Sequence, residues 1–302
     1  MSVWGQTYRH YTITEMEVRG YSVYPGVYRA PYPMYYGWWN EGGKRTILDR
    51  AELKVVYKAE LVIDTLSGTK GKDYAACLVS QRYYQTFGYS MYRRGHTVDA
   101  DISDQYPYLG SCHELINWNI TRDNAKHTIT DRHQLPMAGS TIEMEERSKC
   151  FHWEMTEETT EIIGYVCQKA ETDYCGRHWV VWYSREIPVD GGFWKFSGLP
   201  GMVLKASDSD NYFDFTAIGI EKTQEPIFDF PKKRKRMSRE QFRETEMRVF
   251  ASPLSYMRGG MRDQGFMAGD DMLVGSSAFE QTKKNLFTPE NYIHIWLPLE
   301  KE

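Results

Sequence analysis

The stretch that decides the fold is Ile162-Ile163-Gly164-Tyr165-Val166-Cys167-Gln168-Lys169-Ala170-Glu171, followed by Thr172-Asp173-Tyr174-Cys175-Gly176 and Arg177-His178-Trp179-Val180-Val181-Trp182-Tyr183-Ser184. Two runs rich in β-branched and aromatic residues flank a short cluster of turn formers that ends in glycine. The pattern predicts a strand over 162–171, a turn over 172–176 and a return strand over 177–184. Side chains alternate along a strand, so Ile163, Tyr165 and Cys167 share one face of the first.

Downstream lies a loop dense in backbone punctuation. In Leu199-Pro200-Gly201-Met202 the proline presets φ for the second position of a turn, and the glycine is expected to supply the positive φ of a type II turn. Gly191-Gly192 makes an earlier break. Phe193, Trp194 and Phe196 are too apolar to lie in water, so this loop is expected to fold back onto the sheet. A further hairpin is predicted from Met202–Ala206 and Tyr212–Ile220 around Asp208-Ser209-Asp210-Asn211. The calcium-loop spacing breaks at Tyr212, which leaves Asp and Asn as ordinary turn residues.

Upstream, Ile142 to Met155 alternates, with Glu157 to Thr160 read as a polar turn. Residues 51–65 place Leu53, Val55 and Tyr57, then Leu61 and Ile63, on one face of a long or bent strand. Ala75 to Tyr92 is strand-like at its start. Residues 93–139 are polar with weak periodicity and read as loops with short elements. Asn119-Ile120-Thr121 has the form of a glycosylation sequon, a three-residue match common by chance. His113-Glu114 lacks the second histidine of a zinc-protease helix. Residues 7–45 combine Pro25, Pro31 and Pro33 with many Tyr and Trp, which excludes helix. They read as an aromatic extension packed outside a domain at 46–302, or as a stacking platform for sugar or peptide.

Toward the C-terminus, Pro231-Lys232-Lys233-Arg234-Lys235-Arg236 is a basic run, read as a solvated loop rather than a nuclear import signal. It leads into Ser238-Arg239-Glu240-Gln241, a capping box that predicts a helix to about Phe250, ended by Pro253. Residues 255–288 read as mobile loop and 291–299 as a last short strand.

Composition sets the bounds. The 302 residues, 41% hydrophobic and 26% charged, are ordinary for a globular protein, and a net charge of −4 gives no pull toward nucleic acid. The 22 Tyr, 13 Phe and 9 Trp tilt the expectation toward β structure. The five cysteines, Cys77, Cys112, Cys150, Cys167 and Cys175, contain no C-x-x-C pair, and their odd number leaves one unpaired within the chain. No apolar run reaches the length of a membrane helix. The opening Met1 to Gln6 reads either as a cytoplasmic start or as the tail of a signal peptide.

Blocks in this order and spacing resemble the GLPGLI (Porph_ging) family of Bacteroidetes-type bacteria. They are Ile162 to Ala170, Gly176-Arg177, Trp182-Tyr183, Glu186-Ile187-Pro188-Val189 and Gly198-Leu199-Pro200-Gly201. Met202-Val203 and Gly192-Phe193 depart mildly from that family's pattern. The resemblance implies an uncharacterised periplasmic or secreted envelope protein, with its signal peptide incomplete in this chain. It carries over no catalytic residue, cofactor or metal. The expected fold is mainly β: a single curved antiparallel sheet or half-barrel with a few short helices, comparable to periplasmic lipoprotein carriers.

Two functions follow. In the first, Trp182, Trp194 and Phe196 line an apolar groove of a non-enzymatic binding or carrier protein, for lipid, peptide or an envelope partner, peripheral to a membrane at most. In the second, Cys167 is the nucleophile of a hydrolase or transferase, with His178 or His152 as base. Against it, a cysteine on a strand face is usually a small buried apolar residue. Cys150 and His152 share a strand face, but two ligands do not make a metal site. Arg177 reads as a hydrogen-bond donor to hairpin carbonyls or a carboxylate. Ile187, Pro188, Gly198, Leu199, Pro200 and Gly201 complete the signature as backbone-shaping residues.

Overall fold

The computed structural model describes residues 46–64, 68–88, 116, 118–134, 141–148, 151–229 and 234–251. The extension at 1–45, His113-Glu114, the segment at 255–288 and the expected last strand lie outside them. Within them the chain is mainly β.

The strands are β1 (Thr46–Arg50), β2 (Leu53–Asp64), β3 (Thr69–Val79), β4 (Tyr83–Gly88), β5 (Trp118–Asp123), β6 (Thr128–Gln134) and β7 (Thr141–Arg147). They continue as β8 (Glu154–Ile162), β9 (Tyr165–Tyr174), β10 (Arg177–Ser184), β11 (Met202–Asp208), β12 (Phe213–Lys222), β13 (Pro226–Asp229) and β14 (Arg234–Arg236). Among the described residues there is one helix, α1, spanning Arg239–Ala251. Twelve strands form a single sheet in the order β14-β7-β6-β5-β4-β3-β2-β12-β11-β10-β9-β8. Its pairings are antiparallel, except that β14 runs parallel to β7. β1 and β13 pair as a separate ribbon.

The sheet curls around the segment 185–201 that joins β10 to β11. That segment reaches the far flank through Cys77 Sγ against the Gly192 carbonyl (3.6 Å) and Thr86 Oγ1 donating to the Trp194 carbonyl (3.4 Å). Arg122 also donates to the Asp190 carbonyl. The aromatic loop therefore does fold back onto the sheet, and it becomes the middle of the core. Phe193 packs on Phe215 (ring centroids 4.2 Å apart) and Phe196 meets Trp179 edge-on at 5.2 Å. Both phenylalanines and Trp179 are buried. Burying each such side chain contributes roughly 1.5–3 kcal/mol, which offsets the entropy lost in ordering a long loop.

An ionic cluster closes the curl. Lys195 Nζ lies 2.6 Å from Asp131 Oδ2 on β6 and 2.6 Å from Glu146 Oε1 on β7. Arg239 of α1 pairs with Glu146 and donates to Tyr174 Oη on β9 (2.8 Å). One helix residue thus ties together two strands that stand near opposite ends of the sheet order. The capping box forms as expected: Ser238 N donates to Gln241 Oε1 (3.0 Å) and Gln241 N to Ser238 Oγ (3.2 Å). Phe242 packs on Ile142 and Met144 and lies 4.6 Å from the His133 ring.

His133 Nε2 sits 2.8 Å from Asp131 Oδ1. Burial is the largest single influence and pulls its pKa down, but the charge and the hydrogen bond of Asp131 together overcome it and hold the pKa above the ordinary 6.5. The sign follows. A raised folded-state pKa gives stability that is fully present below pH 6.5 and lost as pH climbs through the folded value. Melting temperature measured against pH falls over that alkaline-going window, and His133→Gln flattens that part of the profile.

On the outer face the β1–β13 ribbon covers β3 and β4, with Ala51 and Ile227 against Ala76, Leu78 and Phe87. Beside it lies a buried polar network in which Arg132 Nε meets Glu143 Oε2 (3.0 Å) and Arg132 Nη2 meets Asp229 Oδ1 (2.9 Å). Arg234, from the basic run expected to be a solvated loop, joins this network at Glu143 Oε2 (2.7 Å). Carboxylates on β7 and β13 give the run a strand partner and fixed charges to answer.

Two further expectations change. The polar run Glu157 to Thr160 lies inside β8, and the hairpin turns instead at Ile163-Gly164, where φ is 44° and 79°. Positive φ at both central positions is what a two-residue type I′ turn requires, and here a β-branched residue takes the first of them. The polar middle of the chain also holds a full hairpin, β5–β6, with every residue of β5 buried.

Candidate functional site

The signature residues resolve into three environments. The first is the hairpin interior. Cys167 is fully buried, its Sγ 3.5 Å from the Tyr165 carbonyl, and burial pushes its thiol up to about 12. A nucleophile needs the thiolate, which this environment disfavours. His152 is exposed, and His178 is engaged with Asp173 Oδ1 at 2.8 Å. Arg177 is the structural donor expected of it: Nη1 meets Asp208 Oδ2 at 2.8 Å, and both side chains are 1% exposed. Asp208 Oδ1 also accepts from the amides of Tyr212 and Phe213, both at 2.8 Å. The pair pins the start of β10 to the β11–β12 turn. Cys77, Cys167 and Cys175 are free thiols. Asn119 of the sequon is buried in β5 and has no access to solvent.

The second environment is the inner segment. Ile187 and Leu199 are buried, Pro188 and Pro200 exposed. The Ile187 carbonyl accepts from Met202 N (3.0 Å), which registers the segment against β11. The turn geometry differs from expectation. Positive φ falls at Gly198 (94°), whose amide donates to Asp190 Oδ1 at 2.6 Å. Gly201 is needed for a different reason, since a Cβ there would lie 2.2 Å from the Ser184 carbonyl oxygen. Trp194 and Phe196 are 4% and 1% exposed, so the groove expected from them is filled by the segment itself. The enclosed space beside Lys195, Trp194 and Arg122 is about 10 Å³, room for one water. Among the described residues, no three His, Cys, Asp or Glu are placed to hold a metal ion.

The third environment meets solvent. Trp179, Val181 and Tyr183 are buried, so the alternating His178, Val180 and Trp182 point away from the core, and Trp182 is half-buried. Trp182 pairs across to Lys205 on β11, and Lys205 to Thr216 on β12. The β8 end and its turn bring Thr160, Glu161 and Ile163 alongside. Together they line an open groove of about 470 Å³, a volume in the range of small-ligand sites. Of the expected aromatic group, only Trp182 reaches such a surface. Its outward direction was readable from the alternation of residues 178–183. The other lining residues were not readable, because they come from strands whose neighbours only the sheet order fixes.

The groove's polar groups are specific. Lys205 Nζ is 3.4 Å from Asp214 Oδ2, and Thr216 Oγ1 donates to Asp214 Oδ1 at 2.8 Å. Asp214 thereby orients both, leaving the Thr216 oxygen as an acceptor toward the groove. Glu161 is exposed and has no ion-pair partner among the described residues. Ile163 supplies half-buried apolar wall, while Ile162 and Ala217 belong to the buried core beneath it.

With this geometry in hand, comparison with known proteins corrects the family resemblance. A family model described as "N-glycanase peptide, N-terminal domain" matches residues 123–241. That span includes every block quoted for the GLPGLI resemblance, which is overturned with the family identity it implied. No curated protein matches the sequence. Two solved structures of PNGF-II, in P21 and C2 space groups, share 13% and 14% identity with TM-scores of 0.46 and 0.45. Each match covers 65% of this chain, and the chain spans 33% of the length of PNGF-II. An uncharacterised conserved protein from Thermus thermophilus aligns at 7% identity and a TM-score of 0.33, over 63% of this chain and 91% of its own.

Proposed function

We propose that this chain is a carbohydrate-engaging β domain, non-catalytic in itself, that holds glycan or glycoprotein at the Trp182 groove. The observation that carries the reading is a half-buried indole lining an open groove together with the hydroxyl groups of Thr160 and Thr216 and the charged groups of Glu161 and Lys205. A pyranose ring has one face of C–H groups and a rim of hydroxyls. An aromatic face with polar neighbours complements both. The match to an N-glycanase N-terminal domain model supports the same class of ligand. An address outside the cytoplasm, where glycoproteins are met, belongs to this reading, and fractionation of cells expressing the full-length gene tests it.

The experiment is calorimetric titration with a purified N-glycopeptide. Trp182→Ala lowers affinity at least about tenfold, the loss of roughly 1.4 kcal/mol or more of contact energy. Because Trp182 is only half-buried against the core, its replacement costs less stability than loss of a fully buried aromatic side chain, and titration is carried out below the variant's melting transition. Unchanged affinity in Trp182→Ala would remove the groove from consideration.

A further inference from the structure

We infer that the enclosed space between Arg122 and Lys195 binds a monatomic anion, chloride being the common one, and that this ion helps to hold the inner segment in the curl. The site lies in the core, apart from the Trp182 groove and from any saccharide bound there.

The argument begins with charge. Arg122 is 6% exposed and Lys195 4%. A charge buried at that depth is costly unless an opposite charge answers it. Lys195 is answered by Asp131 and Glu146, each at 2.6 Å. Neither carboxylate has charge to spare, because Asp131 also faces His133 at 2.8 Å and Glu146 also pairs with Arg239. Arg122 has no carboxylate within ion-pair distance among the described residues. One of its Nη atoms donates to the Asp190 carbonyl, and its guanidinium lies 3.9 Å over the Tyr84 ring. A carbonyl dipole and a ring face soften a positive charge without cancelling it. The Arg122 Nε is buried and has no hydrogen-bond partner. Lys195, Arg239 and Arg122 thus set three cations against two carboxylates, and one positive charge is left for an anion to answer.

Size then selects the anion. The space is about 10 Å³, room for one water. Phosphate, sulfate and carboxylates are too large for it, whereas a halide is a single sphere little larger than water. The walls are also set in advance. Tyr84 and Thr86 of β4 and Arg122 of β5 stand on one side, with Gly192, Trp194 and Lys195 of the inner segment on the other. A Cβ at Gly191 would run into the Tyr84 ring, so that ring has no slack, and it backs the Arg122 guanidinium. An anion placed there touches both the sheet and the segment, and its binding is coupled to the packing of one on the other.

The test follows the melting of the full chain as chloride replaces gluconate at constant ionic strength. The expected result is a melting temperature that climbs by about 3–5 °C for each tenfold rise in chloride above its dissociation constant. Bromide acts as chloride does. Arg122→Met abolishes the dependence, whatever its own melting temperature, because the readout is the slope. Where that variant does not fold, anomalous diffraction from parent crystals soaked in bromide decides, with a peak expected between Arg122 and Lys195. A melting temperature indifferent to chloride overturns the inference. So does a slope that persists in Arg122→Met, or bromide found on the surface alone as an adventitious ion only.

Discussion

Phe196→Ala lowers the stability of the folded domain by about 3–5 kcal/mol, the range for removing a buried aromatic side chain and leaving its cavity. Phe196 is 1% exposed and touches Phe151, Trp153, Trp179 and Trp194, with centroid distances of 5.2–6.0 Å. These partners come from three separate parts of the chain, so no single side chain can swing in to fill the gap. The midpoint of urea unfolding reports the loss. Glycopeptide affinity measured well below that midpoint is expected to stay at the parental value, because Phe196 lies inside the curl and the proposed Trp182 groove outside it. A Phe196→Ala protein with parental stability and weakened binding would restore the aromatic loop as the ligand groove.

Asp208→Ala is the second large effect, again about 3–5 kcal/mol. It leaves the Arg177 guanidinium buried without its carboxylate, and it strips the amides of Tyr212 and Phe213 of their shared acceptor. Arg177→Met costs less. The carboxylate that remains still accepts two backbone N–H groups, and methionine fills the space over the Phe213 ring that the guanidinium occupies, 4.6 Å from its centroid. The order of the two urea midpoints, Asp208→Ala below Arg177→Met, distinguishes a charge held for its backbone bonds from one held for its ion pair alone.

Much of this fold was legible because one face of most strands is buried and the other wet. β9, β10 and β12 alternate in burial as they alternate in sequence, and the Asp208–Asn211 turn and the Ser238–Gln241 cap lie where the residues place them. The hairpin β5–β6 was not legible for the opposite reason. Its inner face packs on the aromatic segment, while its outer face meets the network of Gln85, Thr121 and Arg132 beneath the ribbon. Burial on both faces, with polar residues answered by polar partners, erases the period-2 signal.

The turn at Ile163-Gly164 was hidden because sequence rules steer a β-branched residue away from positive φ, and Glu157 to Thr160 offered a more polar substitute. At Gly201 the sequence identified a glycine that matters, but the constraint is the approach to the Ser184 carbonyl rather than φ. The candidate site was half legible. Trp182 was read as lining one apolar groove with Trp194 and Phe196; it does line an open groove, but the curl of the sheet separates it from the other two.

The most direct measurement of where ligand is met uses the nine tryptophans as reporters. Indole Nε1–H resonances of isotope-labelled protein, assigned through single Trp→Phe variants, are followed as N-glycopeptide is added. The Trp182 resonance is predicted to shift and saturate, while those of buried Trp179 and Trp194 hold still. A Trp182 resonance that stays fixed while the Trp179 or Trp194 signal moves would contradict the account.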